Sequence, residues 1–301
     1  RNGGAITISS TSGNISTRDI VASVFFFSVP QGSGGNAGDV RISSTSGNIS
    51  IRTLRSISEA VSGDSKNGGS VNISSTSGDI FSESIDASSY SAFGKSGNGG
   101  IITISSTSGN ISAGQLTSST ITQDSGDGGA ITISSVSGDI NTQNVNSSST
   151  SGSANNLDYF NSSSPLYSEN LFRNSSGYGG AITISSVSGD INTQDLNSFS
   201  LTSPGDSQNG GAISLSSVSG NINIQDLNSF SYSSSGDSRN GGSILVMAEE
   251  GVITGNDASL LFSGSVSPSG QITDRSGSIF LHSGNISDLN IITLASSGRS
   301  G

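Results

Sequence analysis

The chain has 301 residues, of which 30% are hydrophobic, 5% aromatic and 11% charged, with 42 Gly and no Cys. The absence of Cys excludes disulfides and thiolate metal sites, and no run of 18 apolar residues is present to insert into a membrane. A net charge of −11 with only 11 Lys and Arg argues against nucleic acid, and leaves cations as the favoured charged partners.

Low hydrophobicity with Gly, Ser and Asn enrichment is the composition of disordered chains. Here, however, the apolar residues return to fixed slots. The string AITISSTSGNIST at Ala5 recurs as DVRISSTSGNISI at Asp39, SVNISSTSGDIFS at Ser70 and IITISSTSGNISA at Ile101. AITISSVSGDINT follows at Ala130 and again at Ala181, then AISLSSVSGNINI at Ala212, with looser copies at Ser243 and Ser278. The Gly before each copy stands at 4, 38, 69, 100, 129, 180, 211, 242 and 277, so the steps are 34, 31, 31, 29, 51, 31, 31 and 35. A fixed period in this range marks a repeat architecture, in which each unit adds its few apolar side chains to one shared core.

Within a repeat, Ile182 and Ile184 flank Thr183 in the alternation of a strand with one face buried. Gly189-Asp190 signals a turn, Ile191 and Thr193 open a second strand, and Leu196 begins a third apolar slot. The tail NSFSLTSPGDSQNGG is expected to be a polar loop. The pattern predicts an all-β chain, a parallel β-helix of about nine coils of roughly 31 residues. Crossover chirality favours the right-handed form. Residues 1–301 form one solenoid domain on this reading, with a loop insertion at about 147–178.

Four apolar slots, headed by Ile6, Ile8, Ile15 and Ile20, are expected to stack into continuous ladders. Polar columns are equally regular. Ser10, Ser44, Ser75 and their successors hold one slot, and Gly13, Gly47, Gly78 the next, where a corner with positive φ is expected. The following slot alternates Asn14, Asn48, Asp79, Asn110, Asp139, Asp190 and Asn221, whose side chains are expected to bond up and down the column. The segment Val24-Phe25-Phe26-Phe27 is expected to be buried or packed between subunits.

The runs GGAITISSxSGxIxT, followed by a polar loop and NGG, resemble the repeats of filamentous-haemagglutinin-like proteins, and the Ser/Asn-rich version is similar to the cyanobacterial members. The resemblance spans Gly3 to about Leu294 and implies a secreted, right-handed parallel β-helix at the cell surface or outside the cell, with structural or adhesive roles.

No catalytic constellation stands out, and the chain is not expected to be an enzyme. The single His282 lies in a terminal strand-like segment, and Glu249-Glu250 reads as a solvated corner. No cofactor is predicted; Asp139 and Asp190, stacked, are weak candidates for Ca²⁺, although the same residues serve turns. An ice-binding array fails because Arg41 and Asn72 interrupt the outward Thr column. The insertion gathers Tyr159, Phe160, Tyr167, Phe172 and Tyr178, either a contact patch for extracellular carbohydrate or protein, or a small satellite core. Neither end of the repeat array carries a recognisable cap, so the expected partner is self, through end-to-end stacking or a longer solenoid.

Overall fold

The computed structural model describes residues 1–27, 32–152, 174–256, 258–268 and 276–297. Within them the chain is all-β, without a helix, and its parallel strands stack as a β-solenoid of about eight turns, close to the nine coils expected. Each turn has three faces. First-face strands begin with Ile6–Ser10 and recur as Val40–Ser44, Val71–Ser75 and Ile102–Ser106. The second face carries Ile15–Val21, Ile49–Arg55, Ile80–Asp86, Ile111–Thr117 and Ile140–Asn146. The third carries Val24–Phe26, Ser58–Ala60, Ser89–Ser91, Thr120–Thr122 and Ser149–Gly152. In later turns neighbouring faces fuse, as in Ile191–Ser203 and Ile244–Thr254.

Register follows the repeat residue for residue. Ile102 pairs with Val71 on one side and Ile131 on the other, and Ile104 with Ile73 and Ile133. The long 51-residue step leaves this untouched, since Ile131 pairs with Ile182 and Ile140 with Ile191. The four predicted slots become four ladders of one continuous core, in which Ile104, Ile133, Ile140 and Leu196 are wholly buried. Each such side chain contributes about 1.5–3 kcal/mol by leaving water. The pairing of every coil with the next repeats this contribution along the axis.

The tail departs from the loop expected of it. Ile191–Ser203 continues as strand through NSFSLTS, and its Ser198, Ser200 and Thr202 are buried. The third face is therefore lined by hydroxyls rather than hydrocarbon. Those hydroxyls are satisfied by the returning backbone: Ser58 Oγ donates to the Gly35 carbonyl at 2.9 Å, Ser149 Oγ to Gly126 at 2.8 Å and Ser91 Oγ to Gly63 at 2.8 Å. A further column repeats the scheme, with Ser56, Ser229 and Ser263 donating to Gly38, Gly211 and Gly242 at 2.5, 2.5 and 2.6 Å. Short side chains let strand and returning tail approach closely, which is how a chain so poor in hydrocarbon closes an interior.

The corner Gly column also has a different cause from the one expected. Among the described residues only Gly63, Gly152 and Gly205 are glycines with positive φ, and none of them belongs to this column. A Cβ on Gly78, Gly109 or Gly138 would instead run into the carbonyl of the corner Gly one coil earlier. Coil-to-coil approach requires glycine here, not backbone handedness. The Ser column buttresses the same corner: Gly47, Gly109 and Gly138 N–H groups donate to Ser44, Ser106 and Ser135 Oγ at 2.9, 2.9 and 2.8 Å.

The Asn/Asp column bonds between coils, but through the backbone rather than side chain to side chain. Asn48 N–H donates to Asn14 Oδ1 at 2.9 Å, Asp79 N–H to Asn48 at 3.0 Å and Asn110 N–H to Asp79 at 2.8 Å. The series continues through Asp139, Asp190 and Asn221. Only an oxygen acceptor is needed, which both residue types carry; hence their interchange. A second ladder of the same kind joins Asn2, Asn36, Asn67, Asn98 and Asp127.

Phe25 and Phe27 are 49% and 75% exposed, so of the two expectations for this stretch, burial within the chain fails for them, while Val24 and Phe26 are half-buried. Outward alternation in the short strand Val24–Phe26 turns Phe25 away from the core.

Candidate functional site

Two places on the rod stand apart from its regular surface. The first is the pair of outermost coils among the described residues. Register carries the four apolar slots to Ile279, Leu281, Ile286 and Ile291 at one end, and they begin with Ile6, Ile8, Ile15 and Ile20 at the other. The strand Asn290–Ser297 is exposed along its whole length, and Ile286 and Ile291 are 41% and 51% exposed. Among the described residues that strand pairs on one side alone, and it has no Pro, Lys, Arg, Asp or Glu, the residues that normally blunt an edge.

The second is a groove of about 610 Å³ on the second face, running along the rod axis. Alternate residues of a strand stand out from a sheet, and the backbone between them forms a valley. One wall is the register column Asn141, Asn192 and Asn223, and the other is Gln143, Gln194 and Gln225. The Asn wall is fixed by its own ladder: Asn192 Nδ2 donates to Asn141 Oδ1 at 2.9 Å and Asn223 Nδ2 to Asn192 Oδ1 at 2.6 Å. Thr254 Oγ1 closes that ladder on Asn223. Between the walls, Thr142 and Thr193 turn inward, buried, with hydroxyls that meet no hydrogen-bond partner. Phe81 closes one end of the groove and Asn256 the other, and Glu83 is its single charged lining residue. Beside the Gln wall, desolvation and then the neighbouring Asp226 charge push the Asp195 carboxyl above its usual range.

The residues singled out in the sequence fall elsewhere. Tyr159, Phe160, Tyr167 and Phe172 lie outside the described residues; Tyr178 is exposed. Asp139 and Asp190 are one coil apart, and each carboxylate accepts the backbone N–H of the next coil, at 2.9 and 2.7 Å. Among the described residues no group of three or more His, Cys, Asp or Glu gathers as metal ligands do. Glu249 and Glu250 sit exposed at the bend within Ile244–Thr254, and His282 is exposed on Ile279–Ser287. The groove escaped notice because its walls occupy ordinary outward polar positions. Its signal was present in the recurring INTQ, INTQ and INIQ at Ile140, Ile191 and Ile222.

No family model, curated protein or solved structure matches this chain. No helix among the described residues is long and apolar enough to cross a membrane.

Proposed function

We propose that the chain is a structural module of an extracellular filament or matrix fibre, a length of solenoid that continues end to end. The observation that carries this is the match between the two ends. The four apolar ladders that stop at Ile279, Leu281, Ile286 and Ile291 meet, one register step on, the residue types with which they start. Such a head-to-tail contact is heterologous, and where its rotation does not close a ring it extends as an open filament. An unblunted edge strand supplies the unpaired N–H and C=O groups that template the next coil. Further coils of one polypeptide and the first coil of a second copy present the same surface, so either gives a continuous rod. The extracellular setting rests on the resemblance of the repeats.

Electron microscopy across a concentration series tests the reading. Fibres one solenoid wide are expected from the wild type, and the double variant Ile286→Asp/Ile291→Asp should leave single rods of unchanged β content. Single rods from the wild type at every concentration, or fibres that survive both charges, overturn self-stacking.

A further inference from the structure

We infer that the second-face groove is a binding site for an uncharged, linear, β-linked glycan lying along the rod axis. This does not depend on end-to-end assembly, and it involves none of the aromatics of the insertion.

The chemistry of the walls comes first. Each primary amide offers both a donor and an acceptor, the complement of a sugar hydroxyl, which is itself both. The amides of Gln143, Gln194 and Gln225 make no hydrogen bond to the protein among the described residues. The Asn wall is already held by its ladder, so its remaining N–H and lone pair are set before any ligand arrives. With no cationic lining residue, Glu83 in the groove and a chain charge of −11, an acidic polymer is opposed rather than drawn in.

Spacing then chooses among neutral polymers. Equivalent amides recur once per coil, roughly every 4.8 Å along the axis. An extended peptide presents equivalent groups on one side about every 6.6 Å, two residues apart, and falls out of step within two coils. A pyranose ring with its linking oxygen spans nearly one coil height, and because successive sugars of an extended β-linked chain turn opposite edges to one side, like hydroxyls return every second sugar, close to every second coil, along the three Asn–Gln pairs. From Phe81 to the Thr254–Asn256 end the column crosses Ser112, Asn141, Asn192 and Asn223. That is about five coil steps, roughly 24 Å, the length of a short oligosaccharide. Phe81, exposed at the end of the row, offers a flat apolar surface to the face of a terminal ring.

The test is calorimetric titration of the full chain with water-soluble β-linked glucose, mannose and xylose oligomers of increasing length. Affinity should rise with length and level off at about five units, when the row of coils is filled. The double variant Asn192→Ala/Gln194→Ala should weaken binding by about tenfold or more. Outward substitutions on the first face, Thr103→Ala/Thr132→Ala, should leave it unchanged. A circular-dichroism melt of each variant shows that the rod is intact. The inference is overturned if none of these oligomers binds, if the groove variant with a normal melt binds as well as wild type, or if acidic glycans or extended peptides bind in preference.

Discussion

Consider Gly138→Ala at the corner between first and second faces. A Cβ there would lie against the Gly109 carbonyl, 2.5 Å from its carbon and 2.8 Å from the Asn110 nitrogen, all backbone atoms of the coil before. Ordinary contacts need close to 1 Å more, a large share of the roughly 4.8 Å between coils. Separation of that size stretches the bonds that join these coils at the corner: Asp139 N–H to Asn110 Oδ1 at 2.9 Å, Ile111 N–H to the Asp139 carbonyl at 2.8 Å and Ser137 N–H to the Thr107 carbonyl at 3.1 Å. Two or three weakened bonds at about 1 kcal/mol each agree with the usual 1–3 kcal/mol cost of overpacking. With about 2.1 cal/mol/K of unfolding entropy per residue, 301 residues turn that into a melting point lower by about 2–5 °C. The matched control is Gly13→Ala, in the same column and a closely similar local sequence, where the nearest atom to a Cβ is Ser10 Oγ at 3.5 Å. It should cost almost nothing. Because a terminal coil frays, hydrogen exchange at the flanking amides, Ile15 for one variant and Ile140 for the other, provides the local comparison. Equal loss of protection at both sites would show that corner conformation, not stacking, demands glycine, and a silent Gly138→Ala would refute the reasoning altogether.

Two further outcomes follow from the polar columns. Thr193→Val removes a buried hydroxyl without a partner and should stabilise the rod by about 1 kcal/mol or more, in line with the apolar Ile51 and Ile224 of the same column; a lower urea midpoint would contradict this. At Asp86, desolvation pushes the carboxyl above its usual range, against the bonds from Ser88 and the charge of Arg55 that pull it down. A raised folded value means that protonation favours the fold: that stabilisation is complete below the unfolded carboxylate range and is lost as pH rises through the folded value. Asp86→Asn, which copies Asn146, Asn197 and Asn228 of its own column, should therefore raise the midpoint at about pH 7 and lose its advantage near about pH 3. An advantage that persisted in acid would rule out desolvation as its origin.

The apolar ladders were legible in the sequence because Ile104, Ile133 and Ile184 alternate with polar neighbours at a fixed period. The third face was not, since buried Ser198, Ser200 and Thr202 look the same in sequence as exposed ones; what buries them is the proximity of the returning Gly carbonyls. The corner glycines were visible as a column, but their cause is a distance between coils, which no single repeat contains. The Asn/Asp column likewise revealed its members and concealed its partner, the backbone N–H of the coil above. Asn192 and Gln194 each have the ordinary appearance of a solvated residue, and become walls only when neighbouring coils align them.

The backbone-directed Asn/Asp ladder has a consequence for how such a protein changes over generations. From Asn14 to Asn221 each coil hands its successor a side-chain oxygen at the same corner, and asks nothing of it beyond an N–H that all residues except Pro possess, so that even Val252 receives the bond. An in-frame duplication or deletion of one whole period therefore creates no mismatched junction. The strings at Ala130 and Ala181 are identical, and the column crosses the 51 residues between them with its 2.9 Å bond unchanged. Lengthening or shortening the rod by whole periods therefore preserves the coil-to-coil bonding at each corner.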